Sequence, residues 1–266
     1  MWQIRHPCIV TFNTFLDFQM MVRFRNFVFL LLSLAASLSA DPGDKPPKLF
    51  PDKTCVVFQG DSITHGGRGG DPNHVIGHSY VILITAPQAA YYPEARFQFH
   101  NRGVSGNAIG SLVGRWSRDT LALKPDVVSV LIGVNDLLQT VNQGRPFSIQ
   151  DFEKSYRLIL DDTLKSNPNV RFVLCEPFVE HGKNTDPFWD AEQQAVQQMQ
   201  DLVKRLASEY KAPVVHLQKA FDEVIAAHPP VDYWIWDGVH PTFAGHQLIA
   251  DAWIRAYREF YKTQNP

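Results

Sequence analysis

The stretch that decides the fold is residues 54–64, which read T-C-V-V-F-Q-G-D-S-I-T. Its first part, 54–59, is a nearly continuous apolar run, as expected of a strand that is buried on both faces. Gly60 then permits a tight turn, which presents the hydroxyl of Ser62 at the end of the strand. A serine hydroxyl becomes a nucleophile only where a base removes its proton. A serine in such a turn is also a common turn former or helix cap, so the chemistry depends on partners elsewhere in the chain.

Similar apolar runs continue along the chain and alternate with helical patterns. They predict further strands at 96–100, 126–132, 171–176 and 213–217, and helices at 79–91, 148–165 and 190–210 and after Thr242. Strand and helix in repetition predict a parallel sheet with helices on both faces. In such sheets ligands bind at the carboxyl ends of the strands.

A second motif, W-D-G-V-H-P at 236–241, lies near the end of the chain. An aspartate three residues before a histidine, here Asp237 and His240, allows a tight loop to aim the carboxylate at the imidazole. The carboxylate would select one tautomer and stabilise the imidazolium that forms during a reaction. Asp-x-x-His also occurs on many protein surfaces, so this motif alone does not establish a catalytic role.

Two more motifs follow the second and third predicted strands. They read N-R-G-V-S-G at 101–106 and G-V-N-D at 133–136. The backbone N–H of Gly103 and the side-chain amide of Asn135 are candidate donors to a developing oxyanion, and each such donor contributes about 3 kcal/mol. The alternative is that Gly103 is only a turn glycine and that Asn135 caps a helix.

Taken together, and in this order along the chain, the four motifs resemble those of the SGNH (GDSL-type) hydrolase family. The resemblance spans residues 54–260. It implies a flavodoxin-like three-layer α/β/α sandwich with a five-stranded parallel sheet, which agrees with the number of strands predicted above. It also implies no cofactor and no metal ion.

The resemblance further implies a role for each matching residue. Ser62 is the expected nucleophile, His240 the base that activates it, and Asp237 the partner that orients His240. The backbone N–H groups of Ser62 and Gly103 and the side chain of Asn135 are the expected oxyanion hole. We therefore expect a secreted serine esterase that works through an acyl-enzyme and removes acetyl groups from an extracellular carbohydrate.

Two alternatives to this function remain at the level of the sequence. One is a lipase, lysophospholipase or thioesterase for longer acyl chains. The other is a non-catalytic carbohydrate-binding protein on the same fold, although such a protein would not need the intact set of Ser62, Asp237 and His240. The net charge of −2 and the absence of a basic stripe argue against a nucleic-acid partner.

Three residues near the motifs are candidates for the rim of the substrate site: Asp61, Arg68 and Trp236. A loop beside them collects several possible metal ligands, namely His65, His74, His78 and Asp71. Imidazoles and a carboxylate suit zinc, but their spacing matches no established zinc pattern. We therefore predict a polar, mobile loop and no metal site.

The first residues have a different character. Arg23 and Arg25 precede an apolar run at 27–38 that ends in small residues. This pattern predicts a secretory signal peptide over 1–40, and so a secreted or periplasmic protein without stable membrane insertion after cleavage. An uncleaved membrane anchor is the alternative, which the shortness of the run disfavours.

The remaining boundaries follow from this assignment. Met21 opens a better-proportioned signal peptide than Met1 does, so residues 1–20 are a candidate over-long start. Residues 41–51 are predicted to be a flexible lead-in, and residues 52–266 a single domain.

Cysteine usage adds one further expectation. Cys55 and Cys175 each lie in an apolar, strand-like run. They could pair in an oxidising compartment, but we favour buried free thiols on different strands.

Overall fold

The computed structural model describes residues 45–71 and 74–262. The predicted signal peptide over 1–40 and the candidate over-long start over 1–20 therefore lie outside the described residues. Contacts along the chain separate Met1–Lys45 from Pro46–Pro266, and the second unit contains the elements below. Within the described ranges no helix is both long and apolar enough to cross a membrane.

A five-stranded sheet forms the centre of the described unit. Its strands are β1 Cys55–Gly60, β2 Gln98–Asn101, β3 Val127–Leu131, β4 Arg171–Cys175 and β5 Val214–Val215. Neighbouring strands are parallel, and their order is β2-β1-β3-β4-β5. The predicted parallel sheet is confirmed. Because β2 and β3 lie on opposite sides of β1, the loops after β1 and β3 flank a topological switch point, where sheets of this kind bind ligands.

Helices cover both faces of this sheet. They are α1 Ser62–His65, α2 Tyr80–Tyr91, α3 Ile109–Asp119, α4 Val134–Leu138, α5 Ile149–Ser166, α6 Trp189–Glu209, α7 Leu217–Ala227 and α8 Phe243–Lys262. Helix α8 packs against α2 and α7, and α5 packs against α3 and α6. The two groups of helices form the outer layers of the predicted three-layer sandwich.

The lead-in is predicted to be flexible over 41–51, and its described part, 45–51, makes several contacts with the domain. The N–H of Leu49 donates to the side chain of Gln88 at 2.9 Å. Phe50 is 2% exposed, and its ring lies 5.1 Å from that of Tyr257. Burial of Phe50 offsets part of the chain entropy that is lost when this segment is ordered.

The two cysteines are free and buried, as favoured from the sequence. Cys55 lies on β1 and Cys175 on β4, and β3 separates these strands. Burial raises the pKa of the Cys55 thiol to about 11 and that of the Cys175 thiol to about 12. Both groups therefore stay protonated and unreactive near neutral pH.

Candidate active site

Ser62 begins helix α1 directly after β1. A Cβ atom on Gly60 would lie 2.5 Å from the carbonyl oxygen of Leu131, so only glycine allows β1 to approach β3 this closely. The carboxylate of Asp61 accepts the N–H of Ile63 at 3.0 Å and thereby caps the helix. These local features place the Ser62 hydroxyl at the carboxyl edge of the sheet.

The prediction that Asp61 belongs to the substrate rim is wrong. Its side chain is used as a helix cap, and the residue is 1% exposed. Burial raises the pKa of the Asp61 carboxyl to about 7, although its bond to Ile63 and the nearby charge of His240 act in the opposite direction. The sequence position beside the nucleophile gave no sign that this carboxyl points inward.

The loop between Asp237 and His240 is organised by its own carboxylate. Asp237 Oδ1 accepts the backbone N–H groups of Val239 and His240 at 3.0 and 2.7 Å. Gly238, which follows Asp237, has a φ of 93°, a value that favours glycine. This turn leaves Asp237 Oδ2 2.8 Å from Nδ1 of His240.

The structure brings the two ends of the described unit together at this point. Ser62 Oγ lies 2.9 Å from Nε2 of His240, across 178 positions of sequence. The hydroxyl, the imidazole and the carboxylate of Asp237 thus form one continuous hydrogen-bonded chain. The carboxylate is buried at 1% side-chain exposure, whereas the imidazole is 34% exposed and accessible to a substrate.

The charges in this chain depend on each other. The hydrogen bond from Asp237 raises the pKa of His240 above its ordinary value of 6.5, and burial only partly opposes this effect. Burial disfavours the charge on Asp237, but bonds from the side chain and backbone of His240 and from Val239 outweigh it and lower the pKa of Asp237. The pair is therefore set to hold a carboxylate beside an imidazole that readily accepts a proton.

Asn135 lies at the start of α4, in the loop after β3. Gly133, just before it, has a φ of 136°, and a Cβ atom there would lie 2.9 Å from Met199. The Asn135 amide donates to the carbonyl oxygen of Asn107 at 3.2 Å. Asn135 therefore lies against the loop that follows β2, as a shared oxyanion site requires.

The prediction for Gly103 is wrong. Its N–H donates to the side chain of Asn101 at 2.9 Å and is not available for a substrate. A Cβ atom on Gly103 would lie 2.3 Å from the backbone nitrogen of His65, so this glycine serves close packing of the loop on α1. The motif contains a second glycine, Gly106, which sequence reasoning passed over.

Gly106 has the properties that Gly103 lacks. It is exposed, its φ is 78°, and a Cβ atom on it would meet nothing within 4 Å. Its carbonyl oxygen accepts the side chain of Gln139 at 2.9 Å, which holds the peptide in place. Within residues 45–71 and 74–262 its N–H has no hydrogen-bond acceptor. A positive φ without a packing reason is the signal that distinguishes it.

The other two rim candidates occupy different positions. The ring of Trp236 stacks on that of His240, with centroids 5.7 Å apart, and Trp236 is 51% exposed. The Lys183 ammonium lies 4.4 Å from the centroid of the same indole. Arg68 is half-buried and donates to the carbonyl oxygen of Gly103 at 2.9 Å, so it also stabilises the loop after β2.

Two of the three histidines of the neighbouring loop, His65 and His74, have local partners. Nδ1 of His65 accepts the N–H of Gly67 at 3.1 Å, and His74 pairs with Asp71 at 2.5 Å. Among the residues that the structure describes, no three His, Cys, Asp or Glu side chains converge as metal ligands do. Nothing in these contacts favours the zinc interpretation.

A parallel α/β sandwich with a hydrogen-bonded serine, histidine and aspartate at its switch point defines a hydrolase of the serine–histidine–aspartate type. The sequence profile of the GDSL-like lipase/acylhydrolase family matches residues 58–248. The chain belongs to this family and is a carboxylic ester hydrolase.

Similar proteins agree with this assignment. The chain is 33% identical over 209 residues to an acetylxylan esterase of Geobacillus stearothermophilus, a match covering 75% of this chain and 92% of the relative. A solved catalytic mutant of an acetylxylan esterase from that organism has a TM-score of 0.69 at 31% identity, covering 79% of this chain and 96% of the other.

A solved GDSL-like lipase from Parabacteroides merdae has a TM-score of 0.72 at 33% identity, covering 79% of this chain and 99% of the other. These likenesses set aside the alternative of a non-catalytic carbohydrate-binding protein.

Proposed function

We propose that this ester hydrolase removes acetyl groups from a carbohydrate outside the cytoplasm, with Ser62 as its nucleophile. The single observation that carries the catalytic part is the chain of contacts from Ser62 through His240 to Asp237, at 2.9 and 2.8 Å. The similarity to an acetylxylan esterase supports the acetyl group and the sugar.

In the acylation step Ser62 Oγ attacks the ester carbonyl carbon, and its proton moves to Nε2 of His240. Asp237 stabilises the imidazolium through Nδ1. The negative charge on the carbonyl oxygen is met by the N–H of Ser62, which begins a helix and so lacks an intrahelical acceptor. The amide of Asn135 and the N–H of Gly106 complete the set of donors. The tetrahedral intermediate then collapses, and the imidazolium protonates the departing alcohol.

Deacylation repeats the same route with water. Nε2 of His240 takes a proton from a water molecule while the oxygen of that water attacks the carbonyl carbon of the acetyl-serine. The second tetrahedral intermediate releases acetate as the bond to Ser62 Oγ breaks, and the hydroxyl recovers its proton from His240. Each step needs only side chains, backbone N–H groups and water.

The position of Trp236 supports a carbohydrate as the alcohol part. His240 must deliver a proton to the departing oxygen, so the alcohol lies beside its ring in the transition state. The indole of Trp236 stacks on that ring and is half exposed. Aromatic rings offer a flat apolar face with specific geometry, which matches the apolar face of a sugar ring.

Substrate comparison tests the proposal. We expect kcat/KM for p-nitrophenyl acetate to exceed that for the octanoate by at least about tenfold, and acetylated xylooligosaccharides to be deacetylated. Trp236→Ala should lower kcat/KM for the oligosaccharide more than it lowers kcat/KM for p-nitrophenyl acetate. A clear preference for octanoate would instead support the lipase or thioesterase alternative and overturn the acetyl assignment.

Replacing the nucleophile tests the mechanism. Ser62→Ala should lower kcat by about a factor of 10⁵ while circular dichroism and thermal unfolding remain those of the wild type. Retained turnover in this variant would refute the assignment of Ser62.

Export is tested separately. Intact-mass measurement of the protein released by an expressing cell should give a chain that begins at Asp41. A chain retained in the membrane or the cytoplasm would contradict the proposed location.

A further inference from the structure

The segment 180–185, which follows β4, lies directly on the loop that holds Asp237. The N–H of Glu180 donates to the carbonyl oxygen of Gly238 at 2.9 Å, and the N–H of Asn184 donates to the carbonyl oxygen of Asp237 at 3.1 Å. The two backbones are therefore joined at two successive residues of the loop.

The contact is too close for a side chain at its centre. A Cβ atom on Gly182 would lie 2.3 Å from the carbonyl carbon of Asp237. Thr185 is buried, and its hydroxyl donates to the carbonyl oxygen of Glu180 at 2.6 Å, which closes the segment into a turn. This turn holds Asn184, which lies between Gly182 and Thr185, in a defined position.

Asn184 uses this position to contact the carboxylate of the site. Its side-chain amide donates to Asp237 Oδ2 at 2.7 Å, the same oxygen that faces Nδ1 of His240 at 2.8 Å. Among the residues that the structure describes, the other donors to this carboxylate belong to Val239 and His240, inside the loop itself. Because the Asp237 side chain is 1% exposed, water has little access to replace the amide.

We propose that Asn184 is a positioning residue for the ester hydrolysis proposed above. Its amide holds Asp237 Oδ2 in line with His240 and shares the negative charge of the carboxylate. The role rests on the proposed function, since it acts only through the base that activates Ser62. Without the amide, the carboxylate would rotate more freely and place more of its charge on the imidazole.

Other charged groups also act on His240 and must stay constant in a test. Besides Asp237, they are Asp61 at the start of α1, Lys183 in the 180–185 segment and His246 in α8. His246 is 7% exposed, and burial lowers its pKa to about 4, so it is neutral over the range where His240 titrates. Substituting Asn184 alone leaves Asp61, Lys183 and His246 in place.

Asn184→Leu is the informative variant, because leucine has a similar volume and cannot donate. We expect kcat to fall about tenfold with KM within about twofold, since the loss affects the transition state. We also expect the acid limb of kcat/KM to move upward by about one pH unit, because the unshared carboxylate stabilises the imidazolium more strongly. Asn184→Asp adds a charge at the same place and should move the limb further in the same direction.

Asn167→Leu is the matched control. The Asn167 amide donates to the carbonyl oxygen of Pro125 at 3.0 Å, at the opposite, amino edge of the sheet. This variant should lose some stability and keep the wild-type pH profile. If Asn184→Leu also loses stability and some rate but keeps the wild-type acid limb, Asn184 is merely structural and the proposal is overturned.

A measurement without substrate separates this proposal from the proposed function. In ¹H–¹⁵N NMR titrations, the midpoint of His240 should rise in Asn184→Leu by the same amount as the kinetic limb. An unchanged midpoint would overturn the role of Asn184 even if the enzyme is an acetylesterase. A raised midpoint in a protein that keeps its turnover after Ser62→Ala would support the Asn184–Asp237 coupling and refute the nucleophile.

Discussion

The two halves of the active site are built in different ways. The half that handles the proton is local, because Asp237 binds the N–H groups of Val239 and His240 within its own tight turn. The half that would hold the oxyanion is dispersed, since Ser62 and Asn135 lie after β1 and β3. The Asp237–His240 turn forms by itself and needs the tertiary fold only to bring His240 to Ser62. The oxyanion donors, in contrast, are not positioned relative to one another until the sheet has formed.

One buried guanidinium joins the dispersed half. Arg115 in α3 donates to the carbonyl oxygen of Gly60 at 3.2 Å, to that of Arg102 at 2.7 Å and to the side chain of Asn107 at 2.7 Å. Its side chain is 10% exposed and pairs with Asp119 at 3.1 Å. The strand ends that build the oxyanion site are thus connected by a residue outside all the sequence motifs.

The largest expected effect comes from breaking the local half. Asp237→Asn should lower kcat by about 10⁴-fold, because an amide nitrogen cannot accept from Nδ1 of His240 and favours the wrong tautomer. Steady-state kinetics with p-nitrophenyl acetate measure the loss. Stability should fall modestly: the asparagine oxygen can still accept the loop N–H groups, but the Asn184 amide loses its carboxylate acceptor. A loss of kcat below about tenfold would contradict the proposed role of Asp237.

Arg115→Met should disrupt the positions of the oxyanion donors, because it removes the guanidinium that connects their loops. We expect kcat to fall by about 10²-fold with KM little changed, as after the loss of an oxyanion donor. The free energy of unfolding should fall by about 3 kcal/mol, because three acceptors lose a buried partner. Urea unfolding and kinetics measure the two losses.

Arg118→Met is the control, since Arg118 pairs with the same Asp119 at 2.7 Å but is 78% exposed. Because this exposed pair is screened by solvent, Arg118→Met should leave stability and kcat close to those of the wild type. Equal effects of the two arginine substitutions would show that the pairing with Asp119, and not the connection of the loops, is what matters.

A smaller effect should come from Asp61, where the two halves meet. Burial raises its pKa to about 7 from 3.8, so its contribution to stability is present below the unfolded value and is lost as the pH rises to about 7. Asp61→Asn keeps the helix cap and has no ionisable group at this position, so it removes the loss of stability that accompanies ionisation of the buried Asp61 carboxyl. The variant should be more stable than the wild type by about 2 kcal/mol at about pH 8, and no more stable at about pH 4. Urea unfolding at both pH values checks the sign.

The smallest effect should come from Gly106→Ala, which sharpens the assignment of the second backbone donor. The methyl group has open space, but the φ of 78° is strained for alanine, so stability should fall by about 1 kcal/mol. If the N–H of Gly106 binds the oxyanion, kcat should fall several-fold as the peptide relaxes. An unchanged kcat at reduced stability would argue against this donor.

The sequence predicted much of the fold because parallel strands that are buried on both faces consist of nearly continuous apolar residues. The runs at 54–59, 126–132 and 171–176 all became strands, and no strand end differs from its predicted position by more than one residue. Helices α3 and α7 were not predicted. Two glycines and two serines within α3 hide its apolar stripe, and α7 follows the two-residue strand β5 so closely that the two read as one apolar run.

For the site, the sequence determined the parts whose geometry is local. Asp-x-x-His closes its own turn, and Gly-Asp-Ser ends a strand and begins a helix, so the meeting of Ser62 with His240 was expected and is found at 2.9 Å. Only the tertiary structure decided which donors are free. Gly103 packs against His65, Asp61 is buried, and the carbonyl oxygen of Gly106 accepts a hydrogen bond from Gln139. These surroundings arise only when segments that are far apart in the chain meet in the folded protein.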